Sequence, residues 1–195
     1  IILLSDGKPN DYDKYEGKYG IQDIKQALRE LNEQKINSYA FAVVCAGAKS
    51  ILDLPLTLEY LETHGVPVVS VGQAQFPAFF TRESGLNADF QLDSAAQLAD
   101  FIRTKWQLGL NGGVVVANPV PSEHAMPKAE IDAMTEQALR EADAQGISGK
   151  AVTPFLLERI KQLTEGRSLS TNIALVKNNA VLGAALSSAL ADSVK

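Results

Sequence analysis

Apolar positions in this chain come in two alternating patterns: short continuous runs, and stretches where they recur every three or four residues. That is the signature of buried strands followed by amphipathic helices. Tyr39-Ala-Phe-Ala-Val-Val-Cys45 is one such run, and it passes into Ala46, Gly47 and Ala48, three residues too small to shield a backbone, before Lys49. Asp53 then offers a carboxylate as N-cap, Pro55 suits a first turn, and Leu54, Leu58 and Leu61 recur at helical spacing. Gly65 supplies a left-handed stop before a strand over Val66 to Val71. The unit predicts strand, small-residue turn, short helix, strand.

The same alternation runs through the rest of the chain. Ile1-Ile-Leu-Leu4 is a fully apolar strand with no methionine and no lead-in, so the chain is expected to begin inside a larger fold. A polar loop over Ser5 to Gly20 follows, then a helix marked by Ile21, Ile24, Leu28 and Leu31 and ending near Gln34. Phe76 to Phe80 predicts an apolar turn, Thr81 to Gly85 a polar loop, and Ala88 to Leu92 a short strand. Ser94-Ala-Ala-Gln97 is a capping box, and it opens a helix lined by Ala95, Leu98, Phe101, Ile102 and a core Trp106 as far as about Leu108. Asn111-Gly-Gly leads into a buried strand that stops at Pro119.

Three helices complete the pattern. Pro127 opens one through Ile131, Met134, Leu139 and Ala142, with a solvated acidic flank and Gly146 as its stop. Thr153 caps the next, with Pro154 in its first position, Phe155, Leu156, Ile160 and Leu163 inward, and Gly166 ending it. Ser168 or Ser170 begins the last, which carries Ile173, Val176, Val181 and Leu182 and becomes alanine-rich. Strands and helices alternating with short connections predict a layered α/β/α fold with a mostly parallel sheet.

Composition narrows the partners. At 195 residues, 46% hydrophobic and 21% charged, the chain has enough apolar content for one substantial core or one and a half domains. A net charge of -5 argues against non-specific nucleic-acid binding and against an anionic membrane surface as partner. No run is expected to reach the length of a membrane span, and no charged-then-apolar leader opens the chain. The lone cysteine, Cys45, has no internal disulfide partner, so a reducing, cytoplasmic setting is the expectation.

Candidate chemistry centres on Lys49. An amine pressed against Ala46, Gly47, Ala48 and Ile51 loses hydration, which disfavours its charged form and frees the lone pair that attacks a carbonyl carbon. The plainer alternative is a lysine that snorkels to solvent near a helix start. Asn118, at the end of the strand before Pro119, suits either turn chemistry or a crevice residue. Asn172, Asn178 and Asn179 lie on an otherwise apolar helix, where an unpartnered amide costs about 1 to 3 kcal/mol, and helix-to-helix hydrogen bonding is expected for the latter two. His64 and His124 lack metal-ligand spacing.

Five ordered blocks carry a resemblance: Cys45 to Asp53, Leu58 to Pro67, Asn111 to Pro121, Gly149 to Leu157 and Asn172 to Ala180. Together they resemble pseudouridine-5'-phosphate glycosidases over residues 43–195. The resemblance implies that Lys49 is the nucleophile and that Asn172 lies near the sugar phosphate. It also implies a reaction in which the ribose ring opens, the lysine forms an imine at C1, the carbon-carbon bond to uracil breaks, and hydrolysis returns ribose 5-phosphate. Manganese (Mn2+), a homotrimer and a small-molecule sugar-phosphate substrate belong to that picture; nucleic acid and membrane do not. The family's acid/base glutamate, phosphate-handling lysine and manganese-associated aspartate fall in blocks upstream of Val43 that residues 1–42 do not match, so very weak or absent catalysis is expected.

Leu3 to Ile21 is similar instead to von Willebrand factor type A domains of nitric-oxide-reductase activation proteins. In those domains the aspartate matching Asp6 helps hold a metal; here the Asp-x-Ser-x-Ser strand is missing, and Asp6, Asp11 and Asp13 are expected to form a solvated loop with no metal site. The expected organisation is therefore a fragment over 1–42 joined to the carboxy-terminal part of a glycosidase domain over 43–195. A metal-dependent interaction module and an inactive chimera are the alternative functions.

Overall fold

The computed structural model describes residues 2–4, 42–49, 53–110 and 112–191. The predicted helix over Ile21 to Gln34 and the loop with Asp6, Asp11 and Asp13 lie outside the described residues. Five strands are described: β1 (Ile2–Leu4), β2 (Ala42–Cys45), β3 (Val68–Val71), β4 (Phe90–Leu92) and β5 (Val114–Ala117). Five helices accompany them: α1 (Leu54–Thr63), α2 (Ala95–Gln107), α3 (Lys128–Ala144), α4 (Val152–Leu163) and α5 (Arg167–Ala191). The sheet runs β1-β2-β5-β3-β4, and every pairing between these strands is parallel, which bears out the expected fold class.

Valine explains the centre of the sheet. Val116 of β5 pairs with Val44 of β2 on one side and Val69 of β3 on the other, and all three are completely buried. Parallel strands covered on both faces favour such β-branched runs. Alternation then divides the side chains. Ala42, Val44, Val69, Val114 and Val116 meet Leu98 and Ile102 of α2 and Leu186 of α5 on one face, while Val68 and Ala117 meet Leu54 of α1 on the other. Burying Leu98 or Ile102 in this way stabilises the fold by about 1.5 to 3 kcal/mol each.

A third cluster lies past the carboxyl ends of the strands. Ala46 and Val120, which follow β2 and β5, pack with Phe79, Ile131 of α3, Leu156 and Ile160 of α4, and Leu175 of α5. Helix α5 thus overhangs the strand ends with its first half and covers the sheet with its second. Two ion pairs tie the overhang together. Arg159 of α4 donates from Nη2 to Glu141 of α3 at 3.0 Å, and Arg167 at the start of α5 pairs with Glu130 of α3.

The local signals hold at α1 and α2. The Leu56 N–H donates to Asp53 Oδ1 at 3.0 Å, and the Gln97 N–H donates to Ser94 Oγ at 3.2 Å. The Gln97 carboxamide returns the contact one residue upstream of the cap, accepting from the Asp93 N–H at 2.7 Å.

Four expectations are corrected. β3 starts at Val68, because the strand begins only after Pro67. α4 starts at Val152, ahead of Thr153, since a 3-10 turn over Gly149–Ala151 feeds the chain directly into it. In α3 the inward face is Ile131, Thr135, Ala138 and Ala142, and Leu139 faces outward. Finally, α5 is 25 residues long and apolar enough to cross a membrane by length and composition, contrary to the expectation that no run approaches that length. Its buried Ser168, Thr171 and Asn179 and its packing on α2, β1 and β2 show it as part of the folded domain.

Candidate functional site

Lys49 stands four residues beyond the end of β2, at the carboxyl edge of the sheet, where open α/β sheets hold their ligands. Its side chain is only 7% exposed, and Nζ lies 5.5 Å from the centroid of the Phe79 ring. The snorkelling alternative fails on that burial. An amine over an aromatic face is held by the ring's negative quadrupole when charged and kept from bulk water when neutral.

The approach to Lys49 depends on Gly47. That residue has φ +80°, and a Cβ added to it would fall 1.7 Å from the Pro77 carbonyl oxygen. The closeness comes from an antiparallel bridge between Gly47 and Ala78. Phe79 follows with φ 63°, unusual for an aromatic residue, and its N–H donates to the Ala46 carbonyl at 3.0 Å. Ala78 and Thr81 close the turn by exchanging backbone hydrogen bonds of 3.0 and 3.4 Å. The strained turn holds the aromatic ring beneath the lysine. The sequence pattern gives Phe76 to Phe80 only as an apolar turn; nothing local announces a left-handed phenylalanine.

Beside this loop stands a group of amides. Asn118, one residue past β5, donates its N–H to the Cys45 carbonyl at 2.7 Å and its Nδ2 to Asn179 Oδ1 at 3.1 Å. Asn178 Nδ2 donates to the Pro119 carbonyl at 3.0 Å. The expected helix-to-helix bonds for Asn178 and Asn179 are therefore corrected: both reach from α5 to the strand end. Asn118 is a buried clasp residue at the crevice edge. Asn172 lies on α5 seven residues before Asn179, hence on the same face, and its Oδ1 is buried without a protein partner among the described residues. Asn179 Nδ2 is likewise buried and unpartnered. An acceptor and a donor are thus left open on one helix face.

Other titratable groups stand apart from Lys49 chemistry. Burial pushes the Cys45 thiol up to about 11, with the Gly47 backbone hydrogen bond opposing part of that rise. It is a thiol at neutral pH. Lys105, also 7% exposed, lies near the start of β5, donating to the carbonyls of Leu110 at 2.9 Å and Gly112 at 3.1 Å. Burial lowers its pKa, and its bonds show a loop lock. His64 caps α1 through Nδ1 to the Tyr60 carbonyl at 2.8 Å, and the His124 carbonyl accepts from Thr171 Oγ1 at 2.8 Å. Among the described residues no group of three or more His, Cys, Asp or Glu side chains is disposed to hold a metal ion.

Residues 16–189 match the family described as Indigoidine synthase A like protein. The chain belongs to that family. The match begins well upstream of the boundary expected at residue 43. A pseudouridine-5'-phosphate glycosidase of Cupriavidus pinatubonensis is 61% identical over 173 residues, which cover 89% of this chain and 54% of that protein. Another from Geobacillus kaustophilus is 57% identical over 172 residues, 88% of this chain and 56% of its own length. The chain spans about half the length of the curated relatives it matches. Among solved structures, the prealnumycin C-glycosynthase AlnA in complex with ribulose 5-phosphate superposes with a TM-score of 0.73 at 32% identity, covering 80% of this chain and 52% of that one. An indigoidine synthase A-like protein from Thermotoga maritima gives 0.65 at 32% identity, with the same coverage.

Proposed function

We propose that this chain carries the imine-forming part of a site that cleaves the carbon-carbon glycosidic bond of pseudouridine 5'-phosphate, with Lys49 as nucleophile and Asn172 as a sugar-phosphate contact. The observation that carries the reading is the burial of Lys49 over Phe79 at the carboxyl edge of the sheet. Relatives named as pseudouridine-5'-phosphate glycosidases, and a structural neighbour holding ribulose 5-phosphate, support a sugar phosphate as the substrate class.

The chemistry asks little of the remaining residues. The neutral amine attacks C1 and displaces the ring oxygen, which opens the ribose and leaves an amine on C1 beside the uracil carbon; the nitrogen lone pair then forms the imine as the bond to C5 of uracil breaks, its electron pair staying on C5, which gains a proton. Hydrolysis of the imine returns ribose 5-phosphate and the free amine. Asn172 Oδ1, open and buried, is suited to accept from a sugar hydroxyl. The proton donor has no candidate among these groups, so we propose that this chain alone turns over very slowly. The described residues offer no donor set that fits manganese. A homotrimer and a cytoplasmic setting are part of the proposal by family likeness, and the metal-dependent module of von Willebrand type is unfavoured because the family match over residues 16–189 and the glycosidase names of the relatives support the first reading.

Borohydride reduction in the presence of ribose 5-phosphate, followed by peptide mass mapping, tests the proposal. Label concentrated on Lys49 and lost in Lys49→Arg supports it, since a guanidinium forms no such imine. Label scattered over surface lysines overturns it.

A further inference from the structure

Helix α5 buries polar positions beside the core residues Leu175 and Leu186 and leaves apolar ones outside. Its buried positions include Ser168, Thr171 and Asn179, whereas Leu169, Ile173 and Val176 are 44%, 49% and 39% exposed. Those three are spaced four and three residues apart, so they form one stripe, which Ala180 continues. Between Ser168 and Ala191 the sequence holds a single ionisable residue, Lys177. Helix α3 also borders solvent and shows the ordinary arrangement, with an acidic flank from Glu130 to Asp143. An uncharged apolar stripe rimmed by one lysine is the composition of an interface.

Position says what covers it. α5 lies over β1 and β2, with α2 as its neighbour on the same face, and β1 is an edge of the sheet. Among the described residues the helix is therefore the outermost in its layer, beside β1, the last described strand on that side of the sheet. The relatives named above are nearly twice as long as the segment they share with this chain. We propose that the Leu169, Ile173 and Val176 stripe is the docking face for the portion of the family domain outside that shared segment, supplied on the same polypeptide or on another. The partner surface is apolar at its centre and carries a carboxylate opposite Lys177. The inference rests on family membership and not on the role of Lys49, so it stands or falls apart from the trapping experiment.

The test produces this chain in the same cells as an affinity-tagged polypeptide comprising the part of the Cupriavidus pinatubonensis relative outside its shared 173 residues. The expected result is co-purification in equal amounts, reduced at least tenfold by Ile173→Glu with Val176→Glu. Leu56→Glu, at an exposed position on α1, leaves recovery unchanged. Because all three side chains are exposed, the variants should melt as the parent does, which separates docking from folding. Failure of the tagged portion to retain the parent chain overturns the proposal, as does equal retention of the double variant. Light scattering and vesicle sedimentation complete it: concentration-dependent self-association, or binding to phosphatidylcholine and phosphatidylglycerol vesicles, abolished by the same two substitutions assigns the stripe to a second copy or to a bilayer and equally overturns the proposal.

Discussion

The Asn118 carboxamide donates to Asn179 Oδ1 at 3.1 Å with both side chains buried, joining the end of β5 to α5, the longest of the described helices. Removing either partner strands the other. Asn118→Ala and Asn179→Ala should each lower stability by about 1 to 3 kcal/mol in urea denaturation. The double substitution should cost clearly less than the sum of the two, because the second truncation removes a group already orphaned. Additive losses would show that the two amides act separately.

Gly47 and Gly65 share a left-handed backbone but differ in surroundings. At Gly65, φ is +64° with nothing within 4 Å of an added Cβ, so Gly65→Ala should cost only the conformational penalty, about 1 kcal/mol. At Gly47 the same substitution drives a methyl group into the Pro77 carbonyl. Gly47→Ala should destabilise several times more and shift the loop that holds Phe79. Trapping of a sugar phosphate on Lys49 should fall with it, whereas Gly65→Ala should leave the trapping yield intact.

Acid should loosen the α3, α4 and α5 overhang first. The Arg159 guanidinium holds Glu141, and that of Arg167 holds Glu130, below the ordinary carboxylate value of 4.5. A carboxylate whose pKa is lowered on folding contributes stability that is complete above its unfolded value and is lost as pH falls through the lowered one. The urea midpoint should therefore drop as pH falls below about 4.5. Glu141→Gln with Glu130→Gln should lower the midpoint at neutral pH and flatten the acid limb. An unchanged slope below that pH would contradict this account.

Cys45, with a thiol pKa raised to about 11, should resist iodoacetamide at mildly alkaline pH while folded. In denaturant it should react like a free cysteine. Rapid alkylation of the native chain would mean that the β2 end opens easily.

What the sequence made legible was local chemistry. Asp53, Pro55 and Gly65 punctuate α1 by short-range geometry, and the valine runs state their burial in a parallel sheet. The lysine at a strand end followed from the same pattern. The orientation of α5 did not, because small and apolar residues fall on both its faces, so periodicity leaves two inward choices. Tertiary contacts choose the one with Thr171 and Asn179 inside. Nor does any local cue give Phe79 its positive φ, which comes from the Gly47 and Ala78 bridge across the fold. Both misses involve residues whose partners are far away in sequence.

Strand order has a consequence for synthesis. β5 sits between β2 and β3 yet is the last of the five strands to leave the ribosome. Until residues 114–117 emerge, the nascent β2 and β3 face an empty slot, and the Cys45 carbonyl ahead of Lys49 lacks the Asn118 N–H that holds it. Assembly of that strand end must wait for long-range pairing, a slow class of step that leaves unpaired edges exposed to aggregation. A chaperone that shields the growing chain over this interval should raise its yield more than it would for a fold whose central strand comes first.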